Sequence, residues 1–122
     1  MYNNYIKRNG DLVYIFDVKD ATEKCIKWIQ EFFKNNGPTC NAIIGISGGK
    51  DSSIVAALLV KALGKERVIG VLMPNGDQSD INFAHGICDF LDIKRYVINL
   101  KNTYDALVSE IKKQIPLTNQ AL

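Results

Sequence analysis

Ala42-Ile-Ile-Gly-Ile-Ser-Gly-Gly-Lys-Asp-Ser-Ser53 is the stretch whose reading decides the fold. Its apolar half, Asn41 to Ile46, has the composition of a buried strand, and the residues from Ser52 to Leu63 open an apolar helix. Between them lie paired glycines. A strand that breaks at Gly48-Gly49 and restarts as a helix presents free backbone N–H groups at the positive end of a helix dipole, which is a phosphate-binding arrangement. Gly48 and Gly49 allow close approach of an anion, Ser47, Ser52 and Ser53 add hydroxyls, and Lys50 adds charge. Asp51 is the odd member, because a carboxylate repels phosphate. A Mg²⁺ ion between Asp51 and the phosphates would account for it, so the stretch points to binding of ATP.

Two common phosphate loops do not match. The Walker A pattern requires Gly where Ile44 stands and Ser or Thr where Asp51 stands. The dinucleotide fingerprint G-x-G-x-x-G requires a spacing that Gly45, Gly48 and Gly49 do not have. The pattern S-G-G-x-D-S resembles the pyrophosphate loop of the ATP pyrophosphatases, enzymes that cleave ATP to AMP and pyrophosphate while activating a substrate as an adenylate.

Outward from this loop, strands and helices alternate. Asn9-Gly10-Asp11 is a turn signal, and Leu12 to Phe16 reads as a short strand or an extended arm. From Asp17 the positions Val18, Ala21, Cys25, Trp28, Ile29 and Phe32 recur at helical spacing. Cys25 and Trp28 are therefore expected in the core, and Asn35-Asn36-Gly37-Pro38 ends that helix. Gly64 stops the helix that follows the loop. Residues 67–73 form a second apolar strand closed by Pro74-Asn75-Gly76, and Ser79 or Asp80 caps a third helix. Residues 95–100 form a third strand, and residues 103–115 a fourth helix that Pro116 ends. Nearly continuous apolar strands, each separated by a helix, indicate a parallel sheet covered on both faces. The expected fold class is α/β: a three-layer α/β/α unit of Rossmann-like type, adenine nucleotide alpha hydrolase-like. Residues 1–16 would form an arm and residues 17–122 the ATP pyrophosphatase domain. In such sheets the loops after the first two strands flank one crevice, and the second, residues 74–79, could close over substrate.

The remaining composition narrows the class. The chain has 122 residues, 47% hydrophobic and 23% charged, enough for one soluble domain with a core. Its 15 basic and 13 acidic residues give a net charge of +2, too little to imply a nucleic-acid partner. No apolar run approaches the ~20 residues of a membrane span, and no signal peptide is evident, so a cytoplasmic protein is expected. Cys25, Cys40 and Cys88 are widely spaced and read as reduced thiols in preference to metal ligands. His85 is expected to be a surface or packing residue.

Gly45 to Ser53, Leu72-Met-Pro-Asn-Gly-Asp-Gln-Ser-Asp80 and Leu91-Asp-Ile-Lys-Arg-Tyr-Val-Ile98 together resemble the ammonia-dependent NAD⁺ synthetases over roughly residues 16–122. The resemblance implies ATP-dependent amidation of deamido-NAD (nicotinic acid adenine dinucleotide) to NAD⁺ with ammonia, through an adenylate, in a homodimer. It implies that Ser47, Gly48, Gly49, Lys50, Ser52 and Ser53 cradle the leaving pyrophosphate, with Ser47, Lys50, Asp51 and Ser52 acting in catalysis. Asp51 would hold Mg²⁺. Gly45, Ile46, Leu72 and Met73 would frame the adenosine, and Gln78 would touch substrate. The family continues past the position of Leu122 into a second half that carries another Mg²⁺ carboxylate and the ammonia site, so the chain is expected to be a truncated or partial enzyme. No glutaminase-like part precedes residue 16, so free ammonia, or ammonia from a partner subunit, is the expected nitrogen source. The alternatives are another ATP pyrophosphatase, of the tRNA-thiolating, lysidine-forming or GMP synthetase type, or a non-catalytic ATP-binding module.

Overall fold

A computed structural model describes residues 5–116; the start of the expected arm and the end at Thr118 to Leu122 lie outside the described residues. Two strands come first, β1 (Tyr5–Arg8) and β2 (Asp11–Tyr14), paired antiparallel with Tyr5 opposite Tyr14. Asn9 and Gly10 have φ of 51° and 86°, the two left-handed positions of a tight hairpin turn, which Asn-Gly adopts readily. The segment from Leu12 is thus the second strand of a hairpin. The first strand escaped notice because Tyr-Ile-Lys-Arg carries no clear alternation.

Helix α1 (Val18–Asn36) starts on Asp17, whose carboxylate accepts from Asp20 N at 3.1 Å, and ends at Gly37. Then follow β3 (Ala42–Gly45), α2 (Lys50–Leu63), β4 (Val68–Leu72), α3 (Ile81–Leu91), β5 (Lys94–Val97) and α4 (Lys101–Gln114). Gly64, at φ 90°, stops α2. Arg67 ties the turn before β3 to the start of β4: its guanidinium donates to Cys40 O at 2.7 Å and lies 5.6 Å from the Phe33 ring.

The sheet order is β3-β4-β5, all parallel, with Ala42 opposite Val68 and Ile69 opposite Lys94. Each crossover carries one helix, so α2 and α3 fall side by side on the same face, as right-handed connections require. The core lies between that face and the helices: Ile46, Ala56, Val68, Leu72, Ala84, Cys88 and Ile93 are buried. Full burial of Val68 and Leu72 contributes roughly 1.5–3 kcal/mol each. Alternation along β4 sends Val68, Gly70 and Leu72 inward and leaves Ile69 and Val71 half-buried on the opposite face. This is the Rossmann-like α/β arrangement, a parallel sheet flanked by helices. On the face away from α2 and α3, Ile43 remains 71% exposed and Tyr96 half exposed.

The expectation that Cys25 and Trp28 belong to the core is corrected. Cys25 is exposed and Trp28 is 64% exposed, stacked on Phe32 along α1, which packs mainly on α2. Cys88 is buried as expected, and burial raises its thiol pKa. His85 is a packing residue: its Nδ1 and its carbonyl oxygen both accept from Arg95 at 3.0 Å, while Arg95 also pairs with Asp89. No helix among the described residues is long and apolar enough to cross a membrane.

Candidate functional site

The chain leaves β3 at Gly45, and the ladder runs one residue further, with Ile46 N donating to Val71 O at 2.9 Å. The turn that follows is laced by its own hydroxyls. Ser47 N donates to Ser52 Oγ at 3.2 Å, the two hydroxyls lie 3.0 Å apart, and Gly49 N donates to Ser47 Oγ at 3.2 Å. Gly48 turns at φ 87°, hard against α3: a Cβ there would stand 3.0 Å from Ala84 N and from Phe83 Cβ. Both facts require glycine.

Helix α2 begins at Lys50, two residues earlier than the sequence suggested, because Gly49 takes the N-cap position. Having no side chain, Gly49 cannot cap. The first-turn N–H groups of Lys50, Asp51 and Ser52 therefore have no helical carbonyl partner and no cap side chain, and they stand at the positive end of the helix dipole. The early start also gives Asp51 a second physical reason, since a carboxylate in the first helical turn complements the dipole. Asp51 is 87% exposed and pairs with Lys50 Nζ at 3.0 Å. Their charges offset each other, so attraction for an anion rests chiefly on the peptide N–H groups. Gly49 O accepts from two hydroxyls, Ser53 Oγ at 2.6 Å and Ser52 Oγ at 3.4 Å.

Beside this turn opens a cavity of about 440 Å³, the size of a small-molecule site. Of the residues singled out in the sequence, Gly45, Ile46, Ser47, Leu72, Met73 and Gln78 line it, and Gly48 to Ser53 form the adjoining loop and helix start. Val71, Pro74, Asp80, Ile81 and Ala84 also line it, and the sequence reading did not single these out as site residues. The presence of Ala84 depends on how α3 packs over Gly48, which periodicity does not reveal. Asp80 occupies the N-cap position of α3 without a side-chain capping bond, and its residue borders the cavity.

The loop after β4 forms the second wall. Its Pro74 O accepts from Leu100 N at 2.7 Å, and its Gly76 is held by Asn99: Gly76 N donates to Asn99 Oδ1 at 3.0 Å, and Asn99 Nδ2 donates to Gly76 O at 3.3 Å. At the far end Gln78 O accepts from Ile81 N at 3.4 Å.

The crevice at the carboxyl ends of β3 and β4 is thus bordered by a glycine-serine turn and lies beside the uncapped start of α2, a kind of arrangement that suits an anion. The family model described as NAD synthase matches residues 21–121. The chain belongs to the NAD synthase family. It is 41% identical over 90 residues to the NH(3)-dependent NAD(+) synthetase of Pyrococcus horikoshii, covering 74% of this chain and 35% of that protein. It is 35% identical over 99 residues to the enzyme of the same name from Carboxydothermus hydrogenoformans, covering 80% of this chain and 40% of that protein. Among solved structures it resembles the NH3-dependent NAD synthetase of Campylobacter jejuni with a TM-score of 0.72 at 33% identity, over 85% of this chain and 44% of that one. The chain thus spans less than half the length of each of these relatives.

Proposed function

We propose that this chain is the ATP-binding part of an ammonia-dependent NAD⁺ synthetase that amidates deamido-NAD. The observation that carries the reading is the uncapped start of α2 beside a cavity framed by Gly45, Ile46, Leu72 and Met73. In the reaction, the nicotinate carboxylate oxygen attacks the α-phosphorus of ATP, and the bond to the β-phosphate oxygen breaks. Ammonia then attacks the acyl carbon of the adenylate, AMP leaves, and the nitrogen gives up its surplus proton to water. The substrate carboxylate is already a nucleophile, so the protein's work is placement and charge stabilisation. The N–H groups at the start of α2, with Ser47, Ser52 and Lys50, would stabilise the negative charge that builds on the departing pyrophosphate. The cavity would hold adenosine, with Gln78 in the facing wall.

Asp51 suits Mg²⁺, which typically takes one or two carboxylates together with phosphate oxygens and water. Among the described residues no cluster of three or more His, Cys, Asp or Glu forms an all-protein cage. Bound there, the ion would neutralise charge on the phosphates, and Lys50 would exchange Asp51 for phosphate. A homodimer in the cytoplasm is part of the same proposal.

ATP with Mg²⁺ should raise the melting temperature, with a stabilisation of about 2.7 kcal/mol at a ligand concentration a hundred times Kd. Supplied also with deamido-NAD and ammonia, the complete enzyme should release AMP in step with NAD⁺. A melting temperature indifferent to ATP would remove the basis of this reading.

A further inference from the structure

Asn99 stands just past the carboxyl end of β5, where the pairing with β4 would otherwise finish. Ile98 N donates to Leu72 O at 2.8 Å and Leu100 N to Pro74 O at 2.7 Å, so the parallel ladder continues beyond both strands. The Asn99 carboxamide extends it by one more peptide. Its Oδ1 accepts from Gly76 N at 3.0 Å and its Nδ2 donates to Gly76 O at 3.3 Å. The same Oδ1 accepts from Lys101 N at 3.0 Å, in the first turn of α4. An amide that both accepts from and donates to one residue is fixed in place and in orientation, because exchanging O and N would set like against like.

The consequence reaches the crevice through the loop. Gly76 turns at φ 78°, and two residues later Gln78 borders the cavity, with α3 fastening its carbonyl. The wall is therefore hung between two fixtures, Asn99 on one side and the start of α3 on the other. We infer that Asn99 is a positioning residue of the nucleotide crevice, setting the height of residues 74–80 over the bound nucleoside while lining the neighbouring polar groove itself. This rests on the nucleotide reading of the crevice given above.

Three proteins test it: the wild type, Asn99→Ala and Asn99→Asp, each measured for hydrogen exchange in residues 74–80 and for affinity towards Mg·ATP and towards inorganic pyrophosphate. Asn99→Ala removes both bonds to Gly76. Its loop amides should exchange about tenfold faster and its Mg·ATP affinity should fall about tenfold, the scale of two lost neutral hydrogen bonds. Pyrophosphate, held by the Ser47 to Ser53 turn without the facing wall, should bind as before. Asn99→Asp keeps the acceptor but sets a carboxylate oxygen against Gly76 O, so it too should speed loop exchange and weaken Mg·ATP binding, and it carries the test if the alanine variant does not fold. Equal losses for both ligands, unchanged loop exchange, or wild-type ATP affinity in either variant would overturn the inference and leave the nucleotide site standing. Wild-type protein that binds neither ligand would overturn both.

Discussion

Replacing Gly48 by Ala tests the tightest point of the site. A side chain at φ 87° costs roughly 1–3 kcal/mol in backbone strain. The new Cβ would stand 3.0 Å from Ala84 N and Phe83 Cβ, well inside the ~3.5–4.0 Å at which carbon atoms attract. One of those atoms is backbone inside α3, so relief requires the helix to move, and overpacking of this kind costs about 1–3 kcal/mol. Lower entropy of the unfolded chain returns about 0.4–1 kcal/mol. The net expectation is a loss of about 1–5 kcal/mol, a large share of the roughly 5–15 kcal/mol that holds a domain folded. Urea unfolding should show a lower midpoint with an unchanged slope. Gly86→Ala supplies the control: this exposed position within α3 has nothing within 4 Å of the added Cβ, so the variant should gain roughly 0.5–1 kcal/mol. If Gly48→Ala proved as stable as the wild type while Gly86→Ala behaved as stated, the close packing of the turn against α3 would be refuted.

Asp51→Asn should abolish the Mg²⁺-dependent part of ATP binding while leaving the metal-free part intact; a metal dependence equal to the wild type's in calorimetry would exclude Asp51 as the ligand. Gly70→Ala puts a methyl 3.1 Å from Cys88 Sγ and 3.2 Å from Ile46 Cγ1. It should cost about 1–3 kcal/mol in denaturant unfolding, and adding Cys88→Ala should return part of that; strict additivity of the pair would contradict the contact. The hydrogen bond and charge of Lys65, 2.6 Å away, lower the pKa of Asp92. A carboxyl depressed in the folded state stabilises above its unfolded pKa, and that contribution fades as pH falls through the folded value. NMR titration should therefore find Asp92 below the usual carboxylate range and Lys65→Met should move it upward, with only a small effect on stability because both groups are exposed; no movement would dismiss the pairing in solution.

Much of this architecture was legible in the residues because its determinants are local. The glycine pair after an apolar strand marked the phosphate turn, Asn-Gly marked the hairpin turn, and Gly64 and Gly37 marked helix ends. Periodicity located α1 but misjudged Trp28 and Cys25: it shows that a face is apolar, and says nothing about what covers it. The start of α2 was set two residues late, at Ser52, because Lys50 and Asp51 were counted with the polar loop, whereas Gly49 takes the N-cap position. Ala84 and Val71 entered the cavity through packing and register, which involve residues distant in sequence. Asn99 was least legible of all. It fell inside the expected strand of residues 95–100, whereas β5 ends at Val97, and its partner, Gly76, lies 23 positions away.

The Asn99 clamp also bears on how the protein ages. Asn75-Gly76 is a dipeptide prone to spontaneous deamidation, in which the glycine nitrogen attacks the preceding side-chain carbonyl to close a five-membered imide. That nitrogen is Gly76 N, the group whose hydrogen is committed to Asn99 Oδ1. Asparagine is among the heat-labile residues. A second asparagine thus occupies the hydrogen that the reaction must release, so the bond that places the loop should also slow its chemical decay, and Asn99→Ala should deamidate faster at Asn75 when peptide mass is followed over storage.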